Sequence, residues 1–206
     1  PKAINSIEKA IHLNSEIADA YTLLGKASLL LNDKKKSLLA FEKSAQISPT
    51  FMKFNDLGAA YFHFGKNKEA ILHLKSAVKL NPHQSRTYFN LGSIYLKTKD
   101  YRQAIDYNQM AIEHNPDHLK AYINLGNAQF QLNELDQAKA TFEKALLKNP
   151  ALAGIHRNLG IVYSQKDRNP SKAISHFQEY LRLSPNQPDA AQIQSMIQAL
   201  RITGTR

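Results

Sequence analysis

The sequence predicts an all-α solenoid, a superhelix of antiparallel helix pairs stacked side by side. Three observations carry that prediction. Five glycines, Gly25, Gly58, Gly92, Gly126 and Gly160, recur at intervals of 33 or 34 residues. Five prolines, Pro49, Pro82, Pro116, Pro150 and Pro185, run in phase with them. Each unit also holds two apolar stripes of helical period, so one helix-turn-helix is written about five times. Such a unit buries its apolar face only against its neighbours, and stability accrues unit by unit.

Taken in order, residues 1–17 read as the second helix of a truncated repeat. Ala3, Ile7, Ala10 and Leu13 mark its stripe, and the first half of that repeat is missing. Five full units follow at 18–50, 51–84, 85–118, 119–152 and 153–187. The third is the clearest. Tyr88, Leu91, Gly92 and Tyr95 recur at i, i+3, i+4 and i+7 of one amphipathic helix. Asp100 is placed to cap the next helix, whose stripe holds Ala104, Ile105, Ala111 and Ile112. Asn115-Pro116 ends it, because proline lacks the N–H that propagation needs.

Glycine inside a helix costs about 1 kcal/mol relative to alanine, so its recurrence calls for close approach of the paired helices. In the second helices small Ala70, Ala77, Ala104, Ala111, Ala138 and Ala145 alternate with bulky Phe41, Leu74, Phe142 and Phe177. In the fifth unit Asn169-Pro170 adds one residue and suits an N-cap followed by the first helical position. Residues 188–206 form a capping helix and tail, with Ile193, Met196, Ile197 and Leu200 on one face.

Composition is that of an ordinary globular chain, 43% hydrophobic and 21% charged. No apolar run reaches the roughly 18 residues that a membrane span needs. Absence of cysteine excludes disulfides and thiolate metal sites. The net charge of +10 favours acidic partners through long-range attraction. The one compact basic run, Lys34-Lys35-Lys36, falls at a turn and reads as solvated surface. The chain opens in mid-unit, so the compartment stays unknown and no leader can be assessed.

The pattern aromatic-x-x-Leu-Gly-x-x-Tyr, Ala-x-x-x-Phe, Ala, Pro resembles the tetratricopeptide repeat. Tyr88-x-x-Leu91-Gly92-x-x-Tyr95 shows it most fully. Departures are Ser28 and Gln129 for the tyrosine, His156 for the first aromatic, Asn108 for the phenylalanine and Tyr180 for an alanine. The resemblance implies that the superhelix is right-handed and that the chain is a non-catalytic scaffold binding partners on an inner face lined by first helices.

Helical phase puts positions 4, 7, 8 and 11 of each unit against its neighbours and positions 2, 6, 9 and 13 on the opposite face. On that face Asn90, Asn124 and Asn158 form a column, each within Asn-Leu-Gly. An amide offers an acceptor and two donors, enough to bind both backbone groups of one residue of an extended peptide. Inward asparagines of this kind are similar to the ladder of peptide-binding tetratricopeptide arrays, O-linked N-acetylglucosamine transferase among them. Asp56 and Leu23 break the column in units two and one.

Asn127 adds polarity, Arg86, Lys97, Lys120 and Arg157 favour acidic residues or a terminal carboxylate, and Phe62, Phe89, Ile123 and Phe130 flank the stripe. A solvated helix face and core packing are the plain alternatives for these residues. Replacing the three asparagines by alanine is expected to abolish peptide binding and to spare fold and melting temperature.

No catalytic, cofactor or metal motif is present in the sequence. His114 and His118 stand four apart, but Pro116 between them marks a turn. Nucleic-acid binding is disfavoured because no basic stripe interleaves with stacking aromatics. Two alternatives to the peptide groove are self-association, through an apolar edge of Ile4, Ile7 and Ile11, and a role as the non-catalytic part of a larger enzyme.

Overall fold

The computed structural model describes residues 2–166 and 168–203. Residues 1, 167 and 204–206, including the end of the predicted tail, lie outside the description, as do the side chains of Lys2, Ala3 and Thr203. Among the described residues there are twelve α-helices and no strand. A single helix, α1 (Lys2–Leu13), precedes five pairs: α2 (Ala18–Leu30) with α3 (Lys34–Ile47), and α4 (Phe51–His63) with α5 (Asn67–Leu80). Then come α6 (Ser85–Lys97) with α7 (Tyr101–His114), α8 (Leu119–Gln131) with α9 (Leu135–Lys148), and α10 (Ala153–Gln165) with α11 (Pro170–Leu183). A last helix, α12 (Ala190–Thr203), closes the stack.

Every turn within a pair passes through one left-handed residue: Asn32, Gly65, Lys99, Asn133 and Arg168. In the first four units the next N–H reaches back five residues, as in Asp33 to Ser28 and Asp100 to Tyr95, which satisfies a carbonyl that the helix end would strand. In the fifth unit the added residue stretches that bond to six, from Asn169 to Tyr163. Asp33, Asp100 and Asn169 cap the following helices through their side chains, as the sequence suggests for the latter two.

The periodic glycines sit where paired helices come closest. A Cβ on Gly126 would lie 2.4 Å from the Phe142 ring, and one on Gly160 2.5 Å from the Phe177 ring. Any side chain there would force the helices apart. Buried residues form three clusters. One joins units one to three, a small one centres on Tyr88, Ala111 and Ala121, and one runs from Tyr122 through units four and five to Ile193 and Ile197. The capping helix thus covers the last unit with the stripe read from sequence, Met196 and Leu200 packing at its margin. Ile4, Ile7 and Ile11 are partly buried, with α1 packed on α2.

Curvature follows from which helices touch. At three of the four junctions the first helices approach one another directly, α2 with α4, α4 with α6 and α6 with α8, whereas no second helix comes as close to the second helix of the next unit. The first helices therefore line the inner face, and the second helices form the outer one.

Candidate functional site

The inner face keeps the register that helical phase predicts. Position 2 is exposed in every unit (Asp19, Met52, Arg86, Lys120, Gly154), as is position 13 (Leu30, His63, Lys97, Gln131, Gln165). Asn90, Asn124 and Asn158 at position 6 are half-buried, and the leucine and glycine that follow each are buried. Backbone anchoring by Leu-Gly in the core thus fixes where each amide emerges.

The asparagines also bond to the preceding unit, which the sequence reading missed. Asn124 donates to the Ser93 hydroxyl at 2.9 Å, and Asn158 to the Asn127 side-chain carbonyl at 2.8 Å. Both bonds join position 6 of one unit to position 9 of the unit before. Between units one and two the same pair of positions holds an ion pair, Lys26 with Asp56 at 2.9 Å. Position 9 of the second unit is Ala59, which offers no acceptor, and Asn90 donates instead to Asn55 at 3.0 Å. Polar partners 30 or 31 residues apart were the sequence signal that could have revealed this column.

Each asparagine commits one N–H in this way. Its Oδ1 and second N–H have no protein partner among the described residues. One hydrogen bond held by a rigid helix fixes the amide plane and lowers the ordering cost of a second contact. It also corrects the expectation of an unchanged melting temperature for the triple alanine variant. Three inter-unit bonds of about 0.5–1.5 kcal/mol each are lost with those side chains.

The remaining sequence-predicted residues separate into three groups. Arg86 and Lys97 converge with Phe62, Lys26 and Asp56 around an inner pocket of about 580 Å³, and Lys97 Nζ stands 5.1 Å from the Phe62 ring centre. Arg86 and Lys120 are exposed and form no ion pair among the described residues. Phe89 lies against the His118 ring at 4.7 Å, and Phe130 packs on the C-terminal core, so both serve contacts between helices. Burial holds the His118 imidazole below its usual pKa.

Arg157 is the clearest reassignment. Its Nε donates to Asp189 Oδ2 at 2.5 Å, while the Tyr180 hydroxyl donates to the other oxygen of the same carboxylate. These two hydrogen bonds, that from Tyr180 first, hold the Asp189 carboxyl below the usual carboxylate range. Arg157 thus fastens the start of the capping segment. His114 ends α7 and His118 precedes α8, so the pair spans a turn as predicted. Among the described residues no group of three His, Asp or Glu side chains is placed to hold a metal ion. No helix among them is long and apolar enough to cross a membrane.

Family models match the repeats that carry this geometry. Tetratricopeptide repeat models match residues 18–51, 85–118 and 119–152, and a TPR repeat model matches 58–99. The chain belongs to the tetratricopeptide repeat family. This repeat array is 30% identical over 82 residues to the cell division cycle protein 27 homolog of Caenorhabditis elegans, a match covering 39% of the chain and 10% of that protein. It is 29% identical over 85 residues to anaphase-promoting complex subunit 3 of Schizosaccharomyces pombe, covering 41% of the chain and 13% of that protein. Those matches span about a tenth of the relatives' own length.

Among solved structures, YrrB, described as a TPR protein with an unusual peptide-binding site, aligns with a TM-score of 0.73 and 22% identity over 92% of the chain and 97% of YrrB. MamA aligns with a TM-score of 0.74 and 25% identity over 86% of the chain and 96% of MamA. The tetratricopeptide fold is that of a protein–protein interaction scaffold.

Proposed function

We propose that the chain is a non-catalytic scaffold whose inner face binds an extended peptide or protein segment, with Asn90, Asn124 and Asn158 gripping its backbone. The observation that carries this reading is the orientation of each amide by the unit before it, which leaves one acceptor and one donor free. Those two groups match the N–H and C=O of one residue in an extended strand. YrrB, described as a TPR protein with an unusual peptide-binding site, offers a precedent for peptide binding by this fold.

Three backbone grips contribute about 0.5–1.5 kcal/mol per hydrogen bond, and a micromolar complex needs roughly 8 kcal/mol. Arg86, Lys97 and Lys120 supply attraction for acidic residues, and the pocket beside Phe62 supplies apolar burial. To test this, an extended peptide is selected against the chain from a random display library and titrated while side-chain amide NMR signals are followed. The signals of Asn90, Asn124 and Asn158 are expected to shift together. Shifts confined to the second helices would refute the reading.

A further inference from the structure

The second helices carry a charge pattern that the groove does not use. Burial of Ala40, Phe41 and Ser44 turns Lys35, Leu39, Glu42 and Gln46 of α3 outward, and burial of Ala70, Leu74 and Ala77 does the same for Lys68, Leu72, Lys75 and Lys79 of α5. All eight are exposed, with Leu39 at 56% and Leu72 at 63%. The two leucines occupy equivalent positions of successive units, so they form one ridge. At matching positions of α7 and α9 stand Asp106, Glu113, Asp136 and Glu143, and the ridge changes sign there.

Together α3 and α5 hold seven lysines against two glutamates. Lys36 pairs with Glu8, and Lys66 at the head of α5 pairs with Glu69. Among the described residues, Lys34, Lys35, Lys68, Lys75 and Lys79 have no carboxylate within ion-pair distance, and all five are exposed. Glu42, the one acid on the ridge itself, accepts the Tyr61 hydroxyl. Lys34, Lys35, Lys66 and Leu39 share the rim of one shallow depression, which shows that the cations and the leucine are contiguous.

We propose that this basic, leucine-bearing ridge docks on an anionic lipid bilayer surface and leaves the amide-lined inner face turned toward a protein partner. Protruding leucines on a convex surface need a medium that yields around them. The boundary between headgroups and acyl chains does so, while anionic headgroups meet the lysines. A folded protein would have to present a complementary hollow. RNA recognition would draw on stacking aromatics or arginine planes, and the outward positions of α3 and α5 carry neither.

The test is flotation of the full chain with vesicles of phosphatidylcholine containing about 30 mol% phosphatidylserine, beside vesicles of phosphatidylcholine alone. Binding is expected only with the anionic vesicles and should fall steeply as salt rises. The triple variant Lys35→Glu/Lys68→Glu/Lys75→Glu should lose at least about a hundred-fold in partitioning, with unchanged circular dichroism because all three side chains are exposed. Leu39→Ser/Leu72→Ser should lose about ten-fold and keep the salt dependence. Arg102→Glu, at the matching position of α7, should bind like the wild type and so separate a local ridge from net charge.

Equal flotation with neutral vesicles would overturn the proposal, as would none with anionic vesicles at low salt. Full retention by the lysine or the leucine variant would do the same. Tight binding of an RNA oligonucleotide or an acidic protein at the ridge, with vesicles inert, would also rule out lipid as its target.

Discussion

Units three and four share a backbone plan and differ at its most confined point. In unit four Gly126 faces Phe142, a fully buried ring that belongs to the large C-terminal cluster. In unit three Gly92 faces Asn108, whose Nδ2 donates to the Ala104 carbonyl while its buried Oδ1 has no partner. A Cβ on Gly92 would still fall 2.3 Å from that amide. Glycine is therefore required by how near the helices come, whatever residue stands opposite. The residue opposite decides cohesion. Where it is polar, the fully buried apolar residues fall into separate clusters, joined through the partly buried Val78, Tyr107 and Ile112.

The sharpest way to break this contrast is Phe142→Ala, which should cost about 3–5 kcal/mol in a chemical denaturation curve, since truncating a buried ring leaves a cavity. A loss below about 1 kcal/mol would show that the C-terminal cluster does not depend on it. Asn108→Leu should act in the opposite direction. It removes an unsatisfied buried acceptor and copies the Gly58–Leu74 pairing of unit two, raising stability by about 1–2 kcal/mol. A destabilised Asn108→Leu chain would mean that the amide holds the junction in a way the contacts do not reveal.

Acidification sharpens the comparison least but in a defined direction. His176 Nδ1 meets His156 Nδ1 at 3.0 Å, and the Pro150 carbonyl accepts from His156 Nε2, so His176 supplies the shared proton. Burial first, then the neighbouring His156, holds His176 below the ordinary imidazole pKa, partly countered by Glu143. Burial likewise lowers His73, which stacks on Tyr61, against the opposing pull of Glu42 and Glu69. For both, the unfolded chain binds more protons as pH falls past about 6.5. Their contribution is thus present above that value and lost below it. The melting temperature should fall between pH 7 and 5, and His176→Phe, which keeps a ring beside Tyr163, should reduce the drop. An unchanged pH profile in that variant would remove His176 from the explanation.

Much of this architecture was legible because a repeat states its constraints five times. Close approach of the paired helices could be read from a costly glycine recurring at one spacing, although that Phe142 is what meets Gly126 follows from the packing. The inner stripe was equally readable, because position 6 in units three to five always precedes a buried Leu-Gly. Other features were hidden for physical reasons. Lys99 and Arg168 adopt left-handed backbone that their side chains do not favour, imposed by the turn between packed helices. Bonds such as Asn124 to Ser93 depend on the offset between adjacent units, which helical phase within one unit does not encode. Arg157 looked like a free cation because Asp189 lies beyond the last full repeat.

The central claim is that the asparagine column holds a backbone. Its most direct test is calorimetric titration of a library-selected peptide into the wild type and into Asn90→Ala/Asn124→Ala/Asn158→Ala. Both proteins are kept well below their melting temperatures, because the variant also loses its inter-unit bonds. The account predicts an affinity loss of about a hundred-fold or more, similar for peptides of unrelated sequence. Equal affinity in the two proteins would contradict it.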